Sequence, residues 1–107
     1  DVFNLSKANL DAVKRDKTEA AKLIKALKSK NVKVYIMPQI LMEDKFTNET
    51  FDIYNKILHS YGVPVLMGVD DSIYAQNLFY DNPNHLNSKG AEYRSNQIIQ
   101  ALKRQGY

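Results

Sequence analysis

His85 is the residue of this sequence best placed to act as a general base, because a carboxylate and an amide stand close before it. Asp81 lies four positions upstream and Asn82 three, and Pro83 favours an extended backbone at Asn82 before the chain turns. Either side chain can then reach back and accept a hydrogen bond from the Nδ1–H group of His85, the bond that sets tautomer and ring orientation. The spacing is compatible with proton transfer by His85, with either Asp81 or Asn82 as the orienting residue. The alternative is that His85 is a turn residue, as a histidine flanked by Asn and Pro in a loop usually is.

The predicted last helix begins near Ser88, so His85 stands about three residues before a helix N-terminus. The partial positive charge there favours the neutral imidazole that a general base needs. Asn87 and Ser88 are most simply capping residues of this helix. Candidates for contact with a substrate are Gln39, Tyr80 and Asn87. The aromatic residues of the long loop before His85 are candidates to line an acyl or sugar pocket; they are Tyr74, Phe79 and Tyr80.

The elements that must position these residues alternate along the chain. Apolar residues at helical spacing predict a helix at 18–29, after a short helical turn at 7–14, with an inner face of Ala20, Leu23, Ile24 and Leu27. Further helices are predicted from Asn48 to Gly62, with a buried stripe of Phe51, Tyr54, Leu58 and Tyr61, and from Ser88 onward, with an inner face of Ala91, Ser95, Ile98 and Leu102. β-rich runs predict strands at 32–37 and 63–67, joined to the neighbouring helices by loops at 39–47 and 68–87.

The order helix–strand–helix–strand–helix predicts an α/β fold with a parallel sheet, formed as a single domain by residues 1–107. In such folds ligands bind beyond the carboxyl ends of the strands, where the loop that ends at His85 begins. Two strands make a poor parallel sheet, because unpaired backbone groups would border the core. We therefore expect further strands from residues 1–6, from a second copy of the chain, or from a missing N-terminal half.

The run FYDNPNHLNSKGA at residues 79–91 resembles the last conserved block of SGNH (GDSL-type) hydrolases. In that family an Asp and a His, usually with two residues between them, precede a Leu-Asn…Gly sequence and the closing helix. The upstream order is also similar to the second half of the family: a strand ending at Pro38, a helix, a Gly-Val-Pro-Val strand at 62–65, and an Asp-containing loop. The resemblance covers roughly residues 20–105.

The resemblance implies a three-layer α/β/α sandwich with a flavodoxin-like parallel sheet, of which this chain is the C-terminal part. It implies a serine esterase or acyltransferase that acts on acyl esters or O-acylated carbohydrates without a cofactor, in an extracytoplasmic or cell-envelope location. His85 is then the base that takes a proton from serine and returns it to the leaving group. Asp81 departs from the family spacing by one residue, which keeps Asn82 as the alternative orienting residue.

The family's Gly-Asp-Ser nucleophile block is absent from these 107 residues, as are its oxyanion-hole blocks. None of the six serines has a Gly-Asp-Ser or Gly-x-Ser-x-Gly context; they are Ser6, Ser29, Ser60, Ser72, Ser88 and Ser95. We therefore expect the chain alone to be inactive and its serine to lie elsewhere in a longer protein. The alternative is a non-catalytic α/β module that binds a ligand or a protein partner.

Composition excludes several other classes of protein. The chain contains no Cys, which rules out disulfides, zinc–thiolate sites and cysteine catalysis within it. Residues 1–33 hold nine Lys/Arg against four Asp/Glu, but no nucleic-acid motif accompanies this charge, so we expect no nucleic-acid partner. Hard metal ligands occur at Asp70, Asp71, Asp81 and His85, but their spacing matches no known motif and we predict no metal site.

Overall fold

A computed structural model describes residues 7–45 and 47–107. Within them the fold is mixed α/β, with three α-helices and one two-stranded parallel sheet, in the predicted order. The elements are α1 (Lys7–Ser29), β1 (Leu41–Met42), α2 (Asn48–His59), β2 (Ile73–Tyr74) and α3 (Ser88–Arg104), with 3₁₀ turns at Asp70–Ser72 and Gln76–Leu78. Residues 1–6, one of the three expected sources of a further strand, lie outside the described residues. None of the described helices is both long and apolar enough to cross a membrane.

Strand pairing occurs in different residues from those predicted. Residues 32–37 and 63–67, both predicted as strands, meet only at one isolated parallel bridge between Ile36 and Val65. The two-stranded sheet is instead formed by β1 and β2, with Leu41 opposite Ile73 and Met42 opposite Tyr74. Both strands fall in stretches that were predicted to be loops.

Two prolines explain why the predicted strands pair at a single point. Ile36 N–H donates to Pro64 O at 2.9 Å, and Leu66 N–H donates to Ile36 O at 2.7 Å. The next bonds of a parallel ladder would require donation from the N–H of Pro64 on one side and of Pro38 on the other. Proline has no N–H, so the ladder cannot extend in either direction.

The core lies between α2 and the strand segments. Leu41, Leu58 and Val69 form its buried cluster. Partly buried side chains pack around this cluster from both predicted strands, from β2 and from α2; they are Ile36, Phe51, Tyr54, Val65 and Ile73. The predicted buried stripe of α2 is confirmed, with Leu58 buried and Phe51, Tyr54 and Tyr61 half-buried.

α2 begins at Asn48, as predicted, and the residue that caps it is the one before. Thr47, rather than Asn48, is the N-cap, because its Oγ1 accepts from Thr50 N–H at 3.2 Å. Thr50 Oγ1 in turn accepts from Thr47 N–H at 2.9 Å, which completes a capping box. Gly62, where the helix was predicted to end, has φ +73° and lies two positions after the C-cap residue Ser60.

The first and last helices also differ from their predictions. The turn at 7–14 and the helix at 18–29 form one continuous helix, α1, in which Ala20, Ile24 and Leu27 are half-buried but Leu23 is exposed. The inner face of α3 is displaced by one position. Gly90 and Ala101 are its buried residues, Ile98 and Leu102 are half-buried, and Ala91 and Ser95 are exposed. Arg94 and Gln97 also turn inward, because both find hydrogen-bond partners there.

Candidate functional site

His85 lies on a tight turn that ends immediately before α3. An antiparallel bridge joins Phe79 to Leu86 at the base of this turn. Tyr80 N–H donates to His85 O at 2.9 Å, and His85 N–H donates to Asn82 O at 3.3 Å. The backbone of this segment, the His85 turn (residues 79–86), is therefore held by local hydrogen bonds while the imidazole extends into solvent.

The Asn82 side chain lies within hydrogen-bonding distance of the His85 ring. Its Oδ1 accepts from Asn84 N–H at 2.8 Å, which directs its NH₂ group toward the histidine. Asn82 Nδ2 lies 3.3 Å from His85 Nδ1 and 3.0 Å from Asp81 Oδ1. An NH₂ group can only donate, so Nδ1 accepts and the neutral ring carries its proton on Nε2. A histidine that acts as a base through Nε2 needs the opposite tautomer.

Asp81 is the one carboxylate that pairs with His85 among the described residues. Its Oδ1 lies 3.8 Å from His85 Nδ1, beyond hydrogen-bonding distance, and the two side chains are 62% and 69% exposed. The Asn82 amide stands between them, bonded to both. Either orienting residue named from the sequence is thus within reach of the ring, and neither accepts a hydrogen bond from it.

An open groove of about 380 Å³ runs beside the His85 turn. Its wall includes Tyr80, Asp81 and Asn82 from the turn, together with Met42 of β1 and Lys45 from the loop after that strand. Tyr80 is 80% exposed at its rim. Phe79 and Tyr80, two of the aromatic residues expected to line a pocket, do border this groove, whereas Tyr74 is buried elsewhere.

Asn87 and Gly90, which belong to the SGNH-like block, join the His85 turn to α3. The Asn87 side chain accepts from Gly90 N–H at 2.9 Å as the N-cap of α3, and its Nδ2 donates to Asn77 O at 2.8 Å. A Cβ at Gly90 would overlap the carbonyl oxygen of Leu78. The predicted capping role of Asn87 is confirmed, and Gly90 is needed for close approach of α3 to the loop.

Gln39 lies near a second group of polar residues that sequence reasoning did not find. Arg94 of α3 reaches the carboxyl ends of the strand segments, where Nη2 donates to Pro38 O at 2.7 Å and Nη1 donates to Tyr74 Oη at 2.8 Å and Ser72 Oγ at 3.2 Å. Tyr74 Oη donates to Gln97 Oε1 at 2.7 Å. We call Pro38, Ser72, Tyr74, Arg94 and Gln97 the Arg94 network.

The Arg94 network is much more buried than the His85 turn. Ser72 is 0% and Tyr74 is 2% exposed. Next to it, Gln39 N–H donates to Tyr54 Oη at 3.1 Å. Burial raises the pKa of the Tyr54 hydroxyl above its ordinary value of 10.0, although the Gln39 hydrogen bond and the charge of Arg94 both act to lower it. The sequence did contain one sign of this network: Arg94 is a polar residue that stands at helical spacing from apolar residues.

Within the described part of the chain, no three His, Cys, Asp or Glu side chains gather in a way that would hold a metal ion. No protein-family model matches the chain, and no curated protein or solved structure matches it either. These comparisons give no support to membership of the SGNH family, which stays a prediction from the sequence.

Proposed function

We propose that this chain is the C-terminal part of an SGNH-type serine esterase or O-acyltransferase with a three-layer α/β/α domain. It supplies the catalytic His85, and the nucleophilic serine comes from outside the 107 residues. The observation that carries this proposal is an exposed imidazole on a hydrogen-bonded turn directly before α3, with a carboxylate 3.8 Å from its Nδ1. The substrate class is an acyl ester or an O-acylated carbohydrate.

In this reaction the serine hydroxyl attacks the ester carbonyl while His85 Nε2 takes its proton. The same proton then passes to the oxygen of the leaving alcohol as the C–O bond breaks. Nε2 can accept a proton only when Nδ1 carries one and donates it to an acceptor. Asp81 fills this role once the Asn82 amide withdraws, and Asn82 fills it if its amide rotates so that Oδ1 faces the ring.

The groove beside the turn is the proposed acyl or sugar site, with Tyr80 at its rim. Gln39 and Asn87 remain proposed substrate contacts, although the Asn87 amide already bonds to Gly90 and Asn77 and is less free to bind a ligand. The remaining strands of the sheet are proposed to come from the N-terminal half of the same protein or from a second copy of the chain.

The test uses the full-length gene product and a fluorophosphonate probe, which labels activated serines covalently. We expect one labelled serine outside these 107 residues and hydrolysis of p-nitrophenyl acetate. His85→Ala should abolish both signals, by about 10³-fold or more in rate. His59→Ala is the matched control, since His59 is exposed on α2 and its one side-chain hydrogen bond among the described residues is to Asn55 O, and it should retain full activity. Equal activity in the two variants, or no labelled serine outside this chain, would rule out the proposal.

A second function, a non-catalytic module that binds a ligand, is favoured by one specific observation. The Asn82 amide holds His85 in the tautomer that cannot act as a base at Nε2. If the module only binds, the full-length protein should show no fluorophosphonate labelling, and Asn82→Asp should change neither labelling nor hydrolysis. An esterase should instead keep or gain activity in Asn82→Asp, because that substitution provides an acceptor for Nδ1–H.

A further inference from the structure

Arg94 has more hydrogen-bond donors than its neighbours accept. Its guanidinium group carries five N–H bonds. Two on Nη1 donate to Ser72 and Tyr74, and one on Nη2 donates to Pro38 O. Among the described residues nothing accepts from Nε–H or from the second Nη2–H. Nε and Nη2 are the edge through which arginine binds a carboxylate with two parallel bonds.

The charge of Arg94 is also uncompensated in the described part of the protein. Its three partners are a serine hydroxyl, a tyrosine hydroxyl and a backbone carbonyl, all of them neutral. The ion pairs found there involve other residues, Lys22 with Glu19 and His85 with Asp81. A half-buried guanidinium normally pairs with an anion, because removing its charge from water without one is costly.

The position of Arg94 in the fold is that of a ligand-binding group. It reaches the residues that directly follow the bridge at Ile36 and those of β2, which is the carboxyl end of parallel strand segments. Ligands of open α/β sheets bind at this end. The Arg94 Cζ atom lies 5.8 Å from the centroid of the Tyr74 ring, whose hydroxyl accepts a hydrogen bond from Nη1.

We propose that Arg94 binds a carboxylate group through Nε–H and Nη2–H, with Ser72, Tyr74 and Pro38 holding the guanidinium in place. The carboxylate belongs either to a free small molecule or to an acidic side chain of the same longer polypeptide. This site uses none of the residues of the His85 turn, so it does not depend on the proposed hydrolase activity.

The test is an NMR titration of the arginine Nε–H signals of the 107-residue chain with sodium acetate, against sodium chloride at equal ionic strength. The sequence has only three arginines, Arg15, Arg94 and Arg104, so the signals are few and Arg94→Lys and Arg104→Lys assign two of them. We expect a saturable shift of the Arg94 signal at millimolar acetate and no saturable shift of the Arg104 signal. Backbone signals near Ser72 should follow the same binding curve. In Arg94→Lys these signals should report an affinity for acetate that is about tenfold weaker, since lysine cannot form two parallel hydrogen bonds to a carboxylate.

The same measurement on the full-length protein identifies the source of the carboxylate. An Arg94 signal that already lies at the acetate-saturated position, and no longer responds to acetate, shows that the polypeptide supplies it. A signal that still responds shows that the ligand is a free carboxylate. The proposal would be overturned if chloride and acetate shifted the Arg94 signal equally, or if the Arg94 and Arg104 signals responded alike in the 107-residue chain. Neither result would bear on the proposed role of His85.

Discussion

The His85 turn and the Arg94 network are both polar, yet they are built in opposite ways. Side-chain hydrogen bonds in the turn join residues one to three positions apart, on exposed groups. Those of the Arg94 network join residues 20 to 56 positions apart, and Ser72 and Tyr74 are buried in it. The turn can therefore change its side-chain arrangement at little cost to the fold, whereas the network connects α3 to the strand ends and stabilises the domain.

The largest effect should follow from Arg94→Ala. This substitution leaves the buried Ser72 and Tyr74 hydroxyl groups and the Pro38 carbonyl without their shared donor, and each such loss costs about 1–3 kcal/mol. We expect the free energy of unfolding in urea to fall by about 3 kcal/mol or more. Arg104→Ala, at the exposed end of α3, should cost less than about 0.5 kcal/mol. Equal losses in the two variants would show that the network does not stabilise the fold.

Gly90→Ala should destabilise the protein although alanine is the better helix former. Helix propensity alone predicts a gain of about 1 kcal/mol. The new Cβ would overlap the Leu78 carbonyl oxygen and contact Leu86, which should cost about 1–3 kcal/mol net. Ser95→Ala, on the exposed face of the same helix, should show the small gain that propensity predicts. A stabilised Gly90→Ala variant would mean that α3 and the turn are not in close contact.

Asn87→Ala should lower the free energy of unfolding by about 1–2 kcal/mol, because Asn87 caps α3 and bonds to the carbonyl of Asn77. Ser88→Ala is the control: Ser88 is the next residue, it was also predicted to cap, and its side chain makes no hydrogen bond within the described residues. The midpoint temperatures of heat unfolding of the two variants should differ by several degrees. A larger loss in Ser88→Ala would place the cap one residue later.

Tyr54→Phe should change how stability depends on pH. Burial raises the pKa of Tyr54 in the folded state, so its contribution is fully present below the unfolded pKa of about 10 and is lost as pH rises through the folded pKa. The unfolding free energy of the wild type should therefore fall more steeply above pH 10 than that of Tyr54→Phe. Identical slopes in the wild type and in Tyr54→Phe would argue against burial of Tyr54.

The smallest effects on stability should come from the His85 turn. His85→Ala and Asp81→Ala should each stay within about 0.5 kcal/mol of the wild type, as exposed substitutions do. Asn82→Asp should nevertheless switch the histidine tautomer, since an acceptor replaces the NH₂ group that faces Nδ1. Nitrogen-15 chemical shifts of the ring should then report Nδ1–H in the variant and Nε2–H in the wild type. Unchanged shifts would show that Asn82 does not set the tautomer.

Local patterns predicted the local features of this molecule. The start of α3 and the capping by Asn87 follow from a few neighbouring residues and are confirmed, as is the buried stripe of α2. The predicted positions of the strands were wrong because β-propensity takes no account of backbone hydrogen-bond donors. Pro38 and Pro64 lack the N–H groups that a longer ladder would use. The roles of Asp81, Asn82, Gln39 and Tyr80 stay predictions.

The sequence by itself determined the order of helices and strands, the mixed α/β class and the turn that carries His85, because each depends on residues within a few positions of one another. Only the folded structure decided which nitrogen of His85 faces the Asn82 amide, since the side chains of Asp81, Asn82 and His85 and the backbone N–H of Asn84 must orient together to set it. The tertiary structure also turned Arg94 and Gln97 inward on α3. A polar side chain is buried only where partners distant in sequence accept its hydrogen bonds, and no local pattern contains them.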